Sequence, residues 1–216
     1  MDSVYMVLQD DLDLTPTIRT PHAAYVDLTP FIHQQDLDRW YTLLAPLPPC
    51  HPEHGPWICG GAVRRFLQDL PLSTDIDYFF QNQTDYYQVR LACESQYHYP
   101  MIQNTQHHST FTIHQHTVQL IQTKFCARLF EHMDSFDFTL CQTGWDGERF
   151  WISERAYHDI QSRVLNPTGS IDTLTGTWTR VLKYAAREGY SPSSSLIEFC
   201  VSYAREHEID CPTTYA

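Results

Sequence analysis

The sequence predicts an α+β protein, in which a small mixed β-sheet with helices is followed by a short helical region. Two observations predict this class. Between residues 46 and 167, apolar runs of strand length alternate with segments whose apolar residues recur at helical spacing. Beyond Pro167-Thr168-Gly169 the spacing is helical. We therefore expect an N-terminal segment of unassigned role (1–45), a body (46–167) and a C-terminal helical region (168–216).

Each element is predicted from the spacing of its apolar residues and from the residue that ends the run. Residues 1–32 hold short β-type fragments, such as VYMVL, that Thr-Pro pairs interrupt, so we expect an irregular segment. Helical spacing predicts a helix over 34–46, ended by Pro48-Pro49. Trp57–Cys59 is an apolar run of strand length. In chain order we then expect a helix over 62–70, a strand over 75–80, a helix over 84–95, strands over 109–114 and 117–122, and a helix over 124–134.

The remaining elements are predicted from turn and cap residues. Asp146-Gly147 is a hairpin signal, so we expect a strand pair over 136–141 and 148–152. Leu174 to Glu188 has helical spacing and is followed by Gly189, which suits a helix C-cap. A last helix is expected over 194–208.

Composition limits the classes of partner. The chain has 14 basic and 26 acidic residues, a formal net charge of −12, and therefore no evident basic footprint for long nucleic acids. No apolar run approaches the roughly 20 residues that a membrane helix needs, and the acidic N-terminus does not resemble a secretory signal. Seven scattered cysteines are typical of reduced thiols. We expect a cytoplasmic protein.

The stretch from residue 60 to residue 80 carries the chemistry. Gly60-Gly61 lies between a predicted strand and a predicted helix, where glycine lets a phosphate approach the backbone closely. Arg64 and Arg65 follow within about one helical turn, from which a forked donor can reach a triphosphate. Asp75 and Asp77 are two apart on a strand, so their carboxylates share one face.

Two carboxylates on one face repel each other unless a cation lies between them. Mg²⁺ held by one or two carboxylates and by nucleotide oxygens is the usual arrangement for nucleotidyl transfer, and Mn²⁺ can take its place. Asp75 and Asp77 are therefore the predicted metal ligands.

Two motifs resemble a known family. The run GGAVRRFLQDLPLSTDIDYFF resembles the signature of the polymerase-beta-type nucleotidyltransferases, in the class of the bacterial poly(A) polymerases and CCA-adding enzymes. The run RVLKYAAREGY resembles the neck-helix motif of that class. The resemblance implies that 46–167 is a nucleotidyltransferase head, that 168–216 includes a neck, and that Arg180 and Lys183 approach the nucleotide.

The sequence departs from that family at three points. The family has a third acidic residue on a later strand, where this chain has Gln119; Asp137 is the alternative candidate for a catalytic carboxylate. Arg65 stands where the family has an acidic residue. Few residues follow the neck motif, which leaves no room for the base-selecting and RNA-gripping helices of a full CCA-adding enzyme.

The function expected is transfer of a nucleoside monophosphate from an NTP, ATP or CTP, to an acceptor hydroxyl. The resemblance implies an RNA 3′ end, tRNA-like and held by few contacts, as the acceptor. Nucleotidylation of a protein or small molecule, and a non-catalytic nucleotide-binding or regulatory module, remain open alternatives. The sequence does not predict an oligomeric state. Zinc-type residues at Cys50, His51, His54 and Cys59 match no standard finger spacing and are expected to form a surface loop.

Overall fold

The computed structural model describes residues 16–72, 75–171 and 173–207. The VYMVL fragment, Ser73-Thr74 and Glu208 lie outside the described residues. None of the helices in the described part of the chain has the length and apolar composition that crossing a bilayer requires.

Eleven strands and seven α-helices make up the described chain. The strands are β1 (Ile18–Arg19), β2 (Ala24–Asp27), β3 (Trp57–Cys59), β4 (Ile76–Phe80), β5 (Met101–Asn104), β6 (His108–Ile113), β7 (His116–Phe125), β8 (Thr143–Trp145), β9 (Phe150–Ser153), β10 (Val164–Leu165) and β11 (Ser191–Pro192). The helices are α1 (Gln34–Leu44), α2 (Gly61–Leu67), α3 (Gln83–Leu91), α4 (Leu129–Met133), α5 (Glu154–Ser162), α6 (Leu174–Glu188) and α7 (Ser194–Glu206).

Nine of the strands form one mixed sheet in the order β1-β2-β9-β8-β3-β4-β7-β6-β5. The central pair β4 and β7 is parallel, and the other neighbouring strands are antiparallel. β10 and β11 form a separate parallel pair that ties the end of α5 to the end of α6. The α+β class predicted from the sequence is confirmed.

The two faces of the sheet are covered differently, and this difference positions the site. Alternation along β4 turns Ile76, Tyr78 and Phe80 to one face, where they pack in the main core with side chains from six helices, α1, α2, α3, α5, α6 and α7. Asp77 and Phe79 point to the opposite face, where a smaller cluster includes Leu129 and Met133 of α4. The carboxylates therefore lie on the α4 face.

Two stretches differ from the sequence-based expectation. The helix expected over 124–134 is wrong in its first half, because β7 continues to Phe125 along β4 and only 129–133 is helical. The strand expected over 136–141 is also wrong. Residues 139–141 form a 3-10 turn in which three consecutive side chains are buried, and the Thr139 hydroxyl donates to Asp159 and to the carbonyl oxygen of Asn166. The hairpin strand at the Asp-Gly turn is β8 instead.

The leading segment is more regular than expected. β2 pairs antiparallel with β9 and so extends the sheet, and β1 forms its edge. The phenol of Tyr25 in β2 is buried and donates to Asp134 Oδ1 at 2.5 Å, beyond the end of α4. At the other end of the chain, Gly189 closes α6 with φ of 72°, as predicted.

Candidate active site

Asp75 and Asp77 are half-buried at the start of β4. Burial, and then the charge of Asp75, raise the pKa of Asp77 to about 7, while the ammonium group of Lys183 acts in the opposite direction. Asp75 and Asp77 are both on this face of the strand, two residues apart. The donor set of two carboxylates on one face therefore fits a hard divalent cation.

Gln119 occupies the neighbouring position on β7. The β4–β7 register sets Asp77 opposite Gln119, and the Gln119 side-chain amide donates from Nε2 to Asp75 Oδ2 at 3.0 Å. A neutral amide thus stands beside the two carboxylates, where the resembled family has a third acidic residue. This hydrogen bond fixes the orientation of Asp75.

Asp137 does not join the other two carboxylates. It is buried and accepts from Arg180 at 2.7 Å (Nε) and 2.6 Å (Nη2), and from the Thr177 hydroxyl at 3.1 Å. Burial raises the pKa of Asp137, and Arg180 opposes that shift. No group of three His, Cys, Asp or Glu side chains among the described residues is placed to hold a metal ion. The contacts of Asp137 with Arg180 and Thr177 anchor α6 to the body.

Arg64 is directed into the protein, in contrast to its expected role at a triphosphate. Its side chain is 1% exposed and its Nη2 lies 2.7 Å from Glu188 Oε2 at the end of α6. Nη1 donates to Gln68 Oε1 at 2.6 Å, and the guanidinium lies 5.4 Å from the ring centroid of Tyr184. These contacts use Arg64 to hold α2 against α6.

Arg65 is also engaged by α6. Its Nη1 lies 3.0 Å from Glu188 Oε1, and its Nε donates to the carbonyl oxygen of Pro71 at 2.7 Å. Both arginines of α2 are therefore occupied by one carboxylate of α6. Spacing alone could not distinguish a phosphate ligand from such an ion pair, because the partner lies more than 120 residues further along the chain.

Gly60 adopts a conformation that other residues avoid. Its φ is 81°, its N–H donates to the Thr143 carbonyl at 2.8 Å, and its own carbonyl accepts from the Thr143 hydroxyl at 3.0 Å. A Cβ on Gly60 would lie 3.4 Å from the ring of Phe136. Gly61 follows as the first residue of α2. The turn expected at Gly60-Gly61 is thus built with a left-handed glycine.

The two basic residues expected from the neck are separated by the structure. Arg180 is engaged by Asp137, although its side chain is 43% exposed. Lys183, one turn further along α6, is exposed, and its charge acts on Asp77. Lys183 is therefore the neck residue whose charge favours the ionised form of Asp77.

The Gly60-Gly61 turn, helix α2 and an Asp-Ile-Asp strand follow in order, and α6 brings a lysine toward the carboxylates. This arrangement defines a nucleotidyltransferase-like fold, similar to the head and neck of the CCA-adding enzymes. The chain belongs to the Gabija anti-defense 2 (Gad2) family, whose model matches residues 33–163. No curated protein matches the sequence.

Solved structures show the same fold at low sequence identity. The Thermotoga maritima CCA-adding enzyme complexed with tRNA matches with a TM-score of 0.57 and 13% identity, over 84% of this chain and 46% of that one. A CCA-adding enzyme with ATP matches with 0.57 and 13%, over 86% and 47%. The Bacillus stearothermophilus CCA-adding enzyme in complex with CTP matches with 0.53 and 15%, over 79% and 43%. The chain spans less than half the length of these proteins.

Proposed function

We propose that this chain is a metal-dependent nucleotidyltransferase that moves a nucleoside monophosphate from an NTP to an acceptor hydroxyl. The observation that carries the proposal is the placement of Asp75 and Asp77 on one face of β4 in this fold, with the charge of Lys183 acting on Asp77. Because the family is described as a Gabija anti-defense family, we expect this reaction to counter the Gabija system.

In this reaction Asp75 and Asp77 would hold Mg²⁺ or Mn²⁺, and the cation would neutralise charge on the triphosphate. Lys183 adds a positive charge from the neck, and the turn at Gly60-Gly61 lets phosphate oxygens approach the backbone. The acceptor oxygen bonds to the α-phosphorus, the bond from that phosphorus to the bridging oxygen breaks, and pyrophosphate and a proton leave. The protein acts mainly by positioning and by preorganised charge.

An RNA 3′ end, tRNA-like, is the acceptor we favour. A protein of the same fold has been solved with tRNA, and others with ATP or CTP, which are the expected donors. With a net charge of −12, the chain would hold such an end by few contacts.

The proposal is tested by incubating the full chain with each α-labelled NTP, magnesium, cellular RNA and cellular protein. We expect label in nuclease-sensitive, protease-resistant material, lost in Asp75→Asn/Asp77→Asn and retained in the matched control Asp38→Asn on α1. If protease removes the label, the acceptor is a protein and not RNA. Equal labelling by the Asp75→Asn/Asp77→Asn variant would refute the metal site.

A non-catalytic nucleotide-binding module is the second candidate. It is favoured by the amide of Gln119 beside Asp75 and by the withdrawal of Arg64 into the core. Such a module would be stabilised by ATP and magnesium without turnover. A rise in melting temperature that Asp77→Asn abolishes, with no label on any RNA, protein or small-molecule acceptor, would support it over the enzyme.

A further inference from the structure

A groove of about 660 Å³ opens on the α4 face of the protein. Its walls are the β1–β2 turn, the segment from the end of β7 into α4, and the loop at residues 168–170. This volume lies within the range of ligand clefts in proteins. β1 and β2 precede residue 33, where the match to the family model begins.

Basic side chains converge on the groove, although the protein as a whole is acidic. Arg19, Lys124 and Arg128 all line it, out of 14 lysines and arginines in the chain. Arg19 and Lys124 are exposed and form no ion pair with any residue of the described chain. Arg128 is 78% exposed and lies 3.5 Å from Glu131.

The acidic residues of the groove already have partners. Asp134 accepts from the Tyr25 phenol at 2.5 Å, and Glu131 accepts from the Ala127 N–H at 3.0 Å in addition to its contact with Arg128. The three basic and two acidic side chains of the lining give the groove a formal charge of +1, in a chain whose formal charge is −12.

The groove lies beside the proposed metal site. Thr168 in its wall donates from its hydroxyl to the Phe136 carbonyl and from its N–H to the Asp137 carbonyl at 3.1 Å. The ring of Phe136 in turn lies against Gly60. Cys126, which also lines the groove, donates from its N–H to the carbonyl oxygen of Phe80 at the end of β4 at 3.4 Å. The groove and the carboxylates thus share one face of the sheet.

The rest of the lining suits a nucleotide chain. The hydroxyl of Ser170 is a donor of the kind that contacts phosphate and sugar, and the half-exposed ring of Phe130 offers a surface for base stacking. The hydroxyls of Thr20 and Ser135 donate to the carbonyl oxygens of Ala23 and His132. An acidic peptide would use the cations but not an aromatic platform.

We propose that this groove binds the sugar-phosphate chain of a single-stranded nucleic acid acceptor and leads its 3′ end to Asp75 and Asp77. The proposal rests on the proposed function for its direction toward the carboxylates. Arg19 and Lys124 contact phosphates, and the bases stack toward Phe130. Held in this way, an acceptor end needs no separate RNA-binding domain.

Binding is measured by fluorescence anisotropy with the full chain and a labelled single-stranded RNA of about 12 nucleotides, within the site sizes of single-strand binders. We expect Arg19→Glu/Lys124→Glu to weaken binding by about tenfold or more, and the slope of log K against log salt to fall by about 1.4. Arg155→Glu, an exposed cation on α5 across the sheet, is the matched control and stays within about twofold. Arg19→Gln/Lys124→Gln repeats the test without adding negative charge, and melting curves verify folding.

The measurement is repeated in the Asp75→Asn/Asp77→Asn background, which separates binding from transfer. If the groove variants lose RNA binding in both backgrounds, the groove is supported as the RNA-binding site. This conclusion holds even if the wild type transfers no label from an NTP to RNA. Wild-type-like RNA binding by the groove variants overturns it, even where transfer is intact. Equal binding of a labelled polyglutamate peptide, lost in the same variants, would also overturn the nucleic acid assignment in favour of an acidic peptide.

Discussion

At the scale of single residues, Gln119 decides how much negative charge the site carries. Its amide donates to Asp75, so the site has two carboxylates held in place rather than three in mutual repulsion. A site of this kind depends on the nucleotide's own oxygens to complete the metal's coordination. Metal and NTP should therefore bind together rather than in sequence.

We expect Gln119→Glu to lower the stability of the metal-free protein, because a third carboxylate would face Asp75 and Asp77. A cost of about 1 kcal/mol corresponds to a fall of about 2–4 °C in Tm for a chain of this size. With magnesium alone the variant should regain more stability than the wild type does. Differential scanning fluorimetry with and without magnesium measures both effects, and Gln119→Leu separates loss of the hydrogen bond from gain of charge. A magnesium response no larger than that of wild type would contradict the proposed metal site.

The second prediction at this scale concerns Arg64. Arg64→Met should leave Glu188 buried without its main partner and lower the free energy of unfolding by about 3–5 kcal/mol. Urea denaturation measures the change. Arg64→Met/Glu188→Met removes both charges and should be less destabilised than the single variant. If the two were equally unstable, lost packing rather than the unpaired carboxylate would be the cause.

At the scale of elements, α4 is held on the sheet by a buried histidine. His132 is fully buried, its Nε2 lies 3.1 Å from the Phe80 carbonyl oxygen, and burial lowers its pKa to about 4. The neutral ring donates one hydrogen bond to β4. The charged ring would be destabilised in this position, which makes α4 sensitive to acid.

The sign of the pH dependence follows from this shift. Because the folded pKa is below the unfolded value of about 6.5, the unfolded chain binds the extra proton, and the stability from His132 is present above that pH and lost as pH falls toward about 4. The loss reaches about 3 kcal/mol. Unfolding of wild type and His132→Gln, compared at several pH values, isolates this contribution. The difference between the two proteins should shrink on acidification, and a constant difference would show that His132 does not titrate in this range.

The sequence was most informative where one element carries its own signal. The helix ended by Gly189 and the Asp-Ile-Asp strand could be predicted, because cap chemistry and alternation are local. The stretch from residue 136 to residue 141 could not, because its buried turn depends on Asp159, about 20 residues away. The partners of Arg64 and Asp137 could not be predicted for the same reason, because Glu188 and Arg180 lie far along the chain on α6.

At the scale of the whole molecule, the helical end of the chain completes the folded body. α6 brings Glu188 to the arginines of α2 and Arg180 to Asp137, so these ion pairs cross between the two regions. Val181 and Tyr184 of α6 also belong to the main core. The protein should therefore unfold as one unit.

Truncation after residue 167 tests this unity. The shortened chain would lack Glu188 and the rings of Tyr184 and Tyr190 that cover Arg64, and it would expose the core under α6, so we expect no cooperative transition in thermal or urea unfolding. Truncation after residue 207 retains every described contact and serves as the control. A truncated body with a sharp transition close to that of the full chain would show that the head folds independently.

Because Glu188 pairs with two arginines, these positions should also change together in evolution. Loss of the acid at position 188 leaves two arginines without their ion-pair partner, whereas loss of either arginine removes one of the two partners of Glu188. The three positions should therefore be inherited together. Among related chains, those that have lost the acid at the end of α6 should also have lost the buried arginine of α2, and an alignment of such chains would display the two changes on the same branches.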